Sequence, residues 1–212
     1  LSGDEHQIRY LAMKYILEDL SSETGTFFYD YFFFNEQIDD LKKIKETFLY
    51  YSIQKYDISF TDRQLTEISY TLAIFLKRLE DSSKNEGLSD FAILQTSREY
   101  EISSDILSAL SKVPNVEAIG FLTSWILTFT TVQIGEDTFD RHIIFELVDK
   151  VIRRFELLSG IEFYNRKEVE NKLYSHFRAV HYRMLYKIPI LNIFLSRVKT
   201  QYADLFEIVG LS

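Results

Sequence analysis

Four histidines are the side chains of this chain best suited to chemistry near neutral pH, because imidazole changes charge there and can bind metals. They are His6, His142, His176 and His181. His176 and His181 lie five residues apart on one predicted helix, so they point about 140° apart around its axis. Side chains share a helix face at spacings of about three or four residues. We therefore predict no zinc pair and no metal site, and interpret His6 and His142 as solvated.

His176 stands out because basic residues accompany it along the same predicted helix. Lys172 lies one turn before it, and Arg183 lies two turns after it, about 20° off the same stripe. A phosphohistidine would carry a dianion-like group that such cations stabilise. A phosphoacceptor at His176, with His181 as the second candidate, is therefore one interpretation of the pattern, although spacing alone favours the other. The alternative is a helix-surface or interfacial histidine with a satisfied hydrogen bond.

Signatures of common enzymes are absent from the sequence. No two of the seven glycines lie closer than fifteen residues, which excludes a P-loop and a dinucleotide-binding fingerprint. No cysteine is present, so thiol nucleophiles, thiolate metal sites and disulfides are excluded. We expect no enzymatic activity and no cofactor, and interpret carboxylate pairs such as Glu99 and Glu101 as solvated acids. A helical enzyme using carboxylates or histidines is the alternative, although the paired E-x-x-H repeats of a di-iron bundle are missing.

Charge is unevenly distributed along the chain. The formal net charge of −8 argues against broad nucleic-acid binding. Between residues 166 and 199, however, eight basic residues stand against two acidic ones. The basic residues are Arg166, Lys167, Lys172, Arg178, Arg183, Lys187, Arg197 and Lys199. This stretch is either a solvated helical face or a local patch for an anionic group or acidic partner.

The elements that position these residues are predicted to be helices throughout. Two prolines and seven glycines in 212 residues leave few breakers, and no stretch alternates with a period of two. Apolar spacing near 3.6 predicts helices over 4–20, 33–56, 61–79, 97–112, 116–132, 138–158, 166–186 and 191–209. The uncharged run 118–135 is too polar and too short for a membrane span, so we predict a buried core helix. Thr61 and Asn165 are predicted N-caps, and Gly160 is a predicted C-terminal glycine.

Two segments of the sequence look alike. Residues 35–78 and 138–183 each consist of a long helix, a short β-branched and aromatic turn, and a second helix that ends in an apolar–Arg pattern. This weak repeat predicts two copies of one helical module. The aromatic residues 27–34 are interpreted as core packing where the first helix meets the module, with a partner or dimer surface as the alternative.

The stretch Leu173–Arg183 resembles the histidine-containing helix of a PRD, the phosphotransferase-system regulation domain. The family pattern is L-x-x-H-Φ, then a small and an apolar residue, with Arg seven residues after His. The segments Tyr186–Asn192 and Tyr202–Glu207 resemble the run that follows in the family, except that Ile193 stands where the family has proline.

An earlier part of the chain resembles a degenerate PRD. Ile68–Arg78 matches the same helix by its arginine, but Thr71 occupies the histidine position. Ala118–Ile126 is similar to the closing helix E-I-G-Y-I-A-L-H-I of the domain, with Trp125 in place of the second histidine. The resemblance implies that this first module has lost both phosphoacceptors and has a structural or interfacial role.

The start of the chain, Ser2–Tyr10, resembles the G-D-E-x-x-I-R-Y/F segment that follows the DNA-binding region of Mga/AtxA-type regulators. The implied organisation is a linker helix in residues 1–30, a first PRD-like module in 31–134, and the N-terminal part of a second module in 135–212. The implied fold is all-α, with helical bundles in two tandem modules, the second incomplete. We expect the chain to be a segment of a longer protein whose DNA-binding region precedes it.

The resemblance also implies a function. Such regulators are cytoplasmic and homodimeric, control virulence or sugar-response genes, and accept phosphate on histidine from HPr or an EII component of the sugar phosphotransferase system. They contact DNA only through the preceding region and do not contact membranes. The alternative is a scaffold of such a regulator that dimerises independently of phosphorylation.

Overall fold

A computed structural model describes residues 5–20, 38–81, 91–110, 116–129, 141–189 and 199–204, together with 207 and 210. The α-helices are α1 (Glu5–Leu20), α2 (Ile38–Leu49), α3 (Asp62–Asp81), α4 (Arg98–Leu110), α5 (Val116–Leu127), α6 (Arg141–Ser159) and α7 (Arg166–Leu185). A π-helical turn, Tyr50–Lys55, continues α2, and a 3-10 turn, Phe91–Thr96, precedes α4. No strand occurs in these ranges, and the all-α prediction is confirmed.

Some sequence predictions fall outside these ranges. The aromatic residues 27–34 and the predicted loop at 82–90 are not described, nor is most of the helix predicted over 191–209. Within the described part, the helix predicted over 33–56 differs, because its last residues, Tyr50–Lys55, are π-helical. A π-turn adds a residue per turn without ending the helix, so apolar spacing alone does not reveal it.

The helix caps follow from local sequence. The backbone N–H of Gln64 donates to Thr61 Oγ1 at 3.2 Å, and the Gln64 side chain accepts from the Thr61 backbone N–H at 2.8 Å. This reciprocal pair is a capping box. Asn165 caps α7 similarly, accepting from the Glu168 N–H at 3.3 Å and donating to the Glu168 carboxylate at 3.0 Å. Both predicted N-caps are confirmed.

The two helical hairpins α2–α3 and α6–α7 follow the same course. After α6 the chain turns at Gly160, whose φ is +68°, and its N–H donates to Glu156 O at 3.0 Å. After α2 and its π-turn the chain turns at Asp57, whose φ is +54°. Asp tolerates this left-handed region better than most residues other than glycine. Each hairpin then has a short linker without helix and a second helix that begins at an N-cap.

The larger of two cores lies among α1 to α5. Its fully buried side chains include Phe48, Leu72, Ile106 and Leu122. Phe75 stacks on Phe121 with ring centroids 3.9 Å apart. Every residue from 118 to 129 is buried, so the prediction that this uncharged helix is a core helix is confirmed. No helix in the described ranges is long and apolar enough to span a membrane.

The smaller core lies between α6 and α7. Ile144, Val148, Ile152 and Tyr174 are buried there. At the capped end of the hairpin, Arg166 joins the two helices through ion pairs. Its guanidinium contacts Glu156 at 2.6 Å and Asp149 at 2.7 Å on α6, and Glu170 at 2.9 Å on α7. These contacts fix the start of α7 against α6.

Helix α7 contributes to both cores. Tyr174 in its first half belongs to the smaller core, whereas Tyr182, and Tyr186 just after the helix, belong to the larger one. Between them, Arg178 Nη2 contacts the Glu99 carboxylate of α4 at 3.0 Å, with the two side chains only 13% and 15% exposed. The interpretation of Glu99 as a solvated acid was therefore wrong.

The π-turn is held against α4 by a polar cluster. The Lys55 ammonium and the Tyr56 hydroxyl both donate to Asp105 Oδ2, and Arg98 donates to the Tyr56 carbonyl. The hydrogen bonds from Lys55 and Tyr56 lower the pKa of Asp105. Burial and the hydrogen bond to Asp105 raise the pKa of Tyr56 to about 12. The cluster is therefore most stable with Asp105 ionised and Tyr56 neutral.

We expect Glu99→Ala to lower the free energy of unfolding by about 3 kcal/mol, because it leaves the buried Arg178 guanidinium without its carboxylate. Urea unfolding followed by circular dichroism measures this. The matched control is Glu46→Ala, which removes half of the Lys42–Glu46 pair, whose side chains are 74% and 66% exposed. The control should change stability by less than about 0.5 kcal/mol. Equal losses in the two variants would contradict a buried role for Glu99.

We expect the contribution of Asp105 to stability to depend on pH. A carboxyl whose pKa is lowered by folding stabilises the fold above its ordinary value near ~3.9 and loses this contribution as pH falls further. The melting temperature of Asp105→Asn should therefore lie below that of the unchanged chain at neutral pH, and the gap should close on acidification. A gap that stays constant down to about pH 3 would contradict this ionisation. Glu46→Gln serves as an exposed control.

Candidate functional site

The candidate phosphoacceptor His176 lies in the middle of α7 with its side chain exposed. Among the described residues its imidazole has no hydrogen-bond or ion-pair partner. Tyr174, two residues before it and about 160° around the helix, is buried and fixes the opposite side of α7. His176 is thus presented outward by a helix that is anchored on its inner face.

Lys172 is an exposed basic residue of this helix, one turn before His176. Its ammonium contacts the Glu168 carboxylate at 2.6 Å, and this contact lowers the pKa of Glu168. Both side chains are exposed, and exposed ion pairs contribute little to stability. The Lys172 ammonium can therefore exchange Glu168 for another anion on this surface at small cost.

Arg183 does not share the exposed setting of His176. Its guanidinium is partly buried, and burial lowers its pKa while the nearby Glu67 carboxylate of α3 raises it. Glu67 also contacts Arg63 at 2.8 Å. Arg183 lies two turns, about 10 Å, along the axis from His176, and its guanidinium lies near Glu67 of α3.

The basic stretch 166–199 is not one continuous face. Arg166 contacts three carboxylates, and Arg178 turns inward to Glu99 and lies over the Tyr182 ring, 5.5 Å from its centroid. Residues 190–198 lie outside the described ranges. The described cations of this stretch therefore serve mainly as partners of individual carboxylates, a division that spacing along the helix did not reveal.

His181 is exposed as well, and its ring stands edge-on to Tyr182 with centroids 5.4 Å apart. It lies on a different side of α7 from His176, as their spacing requires. No group of three or more potential metal ligands occurs in the part of the chain that the structure describes. His181 is thus an accessible imidazole whose basic neighbour one turn before it, Arg178, turns inward to Glu99.

Thr71 and Trp125, which occupy the two degenerate acceptor positions, are both buried. The Thr71 hydroxyl donates to the Glu67 carbonyl at 2.7 Å within α3. Trp125 packs in the larger core against Phe129, with ring centroids 6.0 Å apart, and its indole N–H finds no partner among the described atoms. Neither side chain is open to a macromolecular donor in this structure.

Residues 149–210 match the family model described as PRD domain. The matched range covers most of α6, all of α7 and His176, and supports a regulator that contains a PRD domain. No curated protein and no solved structure matches the chain.

We expect diethyl pyrocarbonate to modify His176 at a rate comparable to that of His142, whose side chain is 83% exposed. Site-resolved mass spectrometry over a short time course measures both rates in one sample. Protection of His176 relative to His142 would indicate that another surface covers it in solution, which is the alternative of an interfacial histidine.

Proposed function

We propose that this chain is the regulatory region of an Mga/AtxA-type bacterial transcription regulator, controlled by phosphorylation of His176 from the sugar phosphotransferase system. The observation that carries the proposal is an exposed histidine, presented outward by an anchored helix, inside the range that matches the PRD domain. HPr or an EII component is the phosphodonor. The region is cytoplasmic and homodimeric, has no enzymatic activity, and contacts DNA only through a preceding region.

The proposed transfer needs little from the acceptor beyond access and charge. The bond between phosphorus and the donor's histidine nitrogen breaks as a bond to one imidazole nitrogen of His176 forms, and the imidazole proton leaves to solvent. The nucleophile in this transfer is the unprotonated nitrogen of the imidazole ring. Lys172, one turn away and in surface contact with Glu168, supplies a cation for the incoming phosphoryl group.

Phosphorylation would change the charge of α7 where the two cores meet. A phosphoryl group adds a charge of about −1.5 to −2, two residues before Arg178, whose pair with Glu99 joins α7 to α4. The modification would change the electrostatic potential around that pair. It would thereby alter the packing of α7 on the larger core. This is the route by which the proposed signal would travel toward a dimer interface or a DNA-binding region.

A second candidate function is a helical dimerisation scaffold that works without phosphorylation. The observation that favours it is the burial of Thr71 and Trp125 at the two positions where the family has histidines. On this proposal the same loss of phosphoregulation extends to His176, and α7 serves only to join the two cores. Virulence or sugar-response genes would then be controlled by another signal.

We expect radiolabelled phosphate to pass from phosphoenolpyruvate, through enzyme I and HPr, to this chain as an acid-labile label. His176→Ala should abolish the label, because it removes the accepting nitrogen, whereas His181→Ala is the matched control and should retain it. Circular dichroism checks that both variants fold. Label that persists undiminished in His176→Ala would remove His176 from the proposal, and absence of label with active carriers would favour the scaffold.

A further inference from the structure

Glu168, Lys172 and His176 follow one another along α7 at successive four-residue steps, which places the three side chains on one face of the helix. All three are exposed. The Glu168 carboxylate contacts the Lys172 ammonium at 2.6 Å, and this contact lowers the pKa of Glu168, so the carboxylate is ionised at neutral pH. The ammonium of Lys172 is therefore already paired with an anion while His176 is unmodified.

The direction of helical side chains decides what each of these groups can reach. Side chains on an α-helix lean toward its N-terminus, so a phosphoryl group on His176 would lie over the turn that carries Lys172. By the same rule the Lys172 side chain leans toward Glu168, and a glutamate that precedes a lysine by four residues is the favoured order of such a pair. The one ammonium thus lies between two anionic positions and is held at the position farther from His176.

Lys172 is the cation of α7 best placed for such a phosphoryl group. The other residues three or four positions from His176 are uncharged, namely Leu173, Ala179 and Val180. Arg178 turns inward to Glu99, and Arg183 lies two turns, about 10 Å, away along the axis. The partner that holds the Lys172 ammonium therefore affects how well α7 stabilises a phosphoryl group at His176.

We propose that Glu168 is a positioning residue of the acceptor site, whose carboxylate competes with the transferring phosphoryl group for the Lys172 ammonium and so slows phosphorylation of His176. The inference rests on the proposed function and concerns the regulation of that same site. The transfer breaks the bond between phosphorus and the donor's imidazole nitrogen, forms a bond to a nitrogen of His176, and releases the imidazole proton to solvent. A nearby cation stabilises the charge on the phosphoryl oxygens, so Lys172 has its full effect only after it leaves Glu168.

Charge and position oppose each other in this competition. An attached phosphoryl group carries about −1.5 to −2 charges against one for the carboxylate, which favours the phosphoryl group. Glu168 has the favoured order relative to Lys172, and its second oxygen accepts from the Asn165 side chain at 3.0 Å, so its carboxylate is held in place independently of Lys172. Because an exposed ion pair is weak, the competition changes the rate of transfer about two- to fivefold, not by orders of magnitude.

The test measures single-turnover phosphotransfer from excess phosphorylated HPr to the chain, as a maximal rate constant and a half-saturating donor concentration. Glu168→Gln removes the charge but keeps the N-terminal cap, because glutamine also serves at this position of a capping box. We expect it to raise the maximal rate constant about two- to fivefold and to leave the half-saturating concentration unchanged, since the freed ammonium acts after the donor has docked. In a Lys172→Met background the same substitution should have no effect.

The matched control is Glu46→Gln, which removes one carboxylate from the exposed Lys42–Glu46 pair of α2. It should transfer at the rate of the unchanged chain. An equal acceleration in this control would assign the effect to the net charge of the chain and refute the competition for Lys172. Circular dichroism checks that all variants keep the helical content of the unchanged chain.

The remaining outcomes are separable. If Glu168→Gln accelerates transfer equally with and without Lys172, the carboxylate repels the donor directly and the competition is refuted. If Glu168→Gln slows transfer, its contact orients Lys172 for the reaction and the proposed sign is wrong. If the unchanged chain accepts label and Glu168→Gln leaves both constants unchanged, the inference is wrong while the proposed function stands. If the unchanged chain accepts no label, the proposed function fails and this inference fails with it.

Discussion

The sharing of α7 between two cores is the constraint on which the rest of the structure depends. Its first half packs on α6 through Tyr174, and its end packs in the larger core through Tyr182. At the change-over, Arg178 and Glu99 form an ion pair with little exposure. Taking two such charges out of water costs several kcal/mol per ion unless they stay paired. Rotation or sliding of α7 would separate them, so the register of the helix against both cores is fixed.

The outward face of α7 is a consequence of that register. Because the inner side of α7 packs in two cores, His176 remains on the solvent side. The cations of the helix divide in the same way, because Arg178 and Arg183 turn toward α4 and α3 while Lys172 stays outside. The exposure of His176 and of Lys172 is thus set by packing on the other side of the helix.

What the sequence could predict was local. Thr61, Asn165 and Gly160 mark helix ends because capping depends on side chains and backbone groups a few residues apart. The period of apolar residues likewise identified the all-α fold and the buried helix at 118–129. Arg178 and Glu99 are 79 residues apart, so no local sequence pattern predicts that they form an ion pair. Helical spacing also placed Arg183 almost in line with His176. It could not show that Arg183 lies near α3, because a helical wheel does not indicate which side of a helix its neighbours cover.

The buried position of Trp125 gives the molecule an internal optical probe. It is the one tryptophan of the chain and lies 3% exposed in the larger core, whereas the smaller core between α6 and α7 contains none. Its fluorescence therefore reports loss of the larger core, while far-ultraviolet circular dichroism reports helices of both. Because α7 belongs to both cores, the two signals should change together, and any interval between them would measure how far the hairpin can open alone.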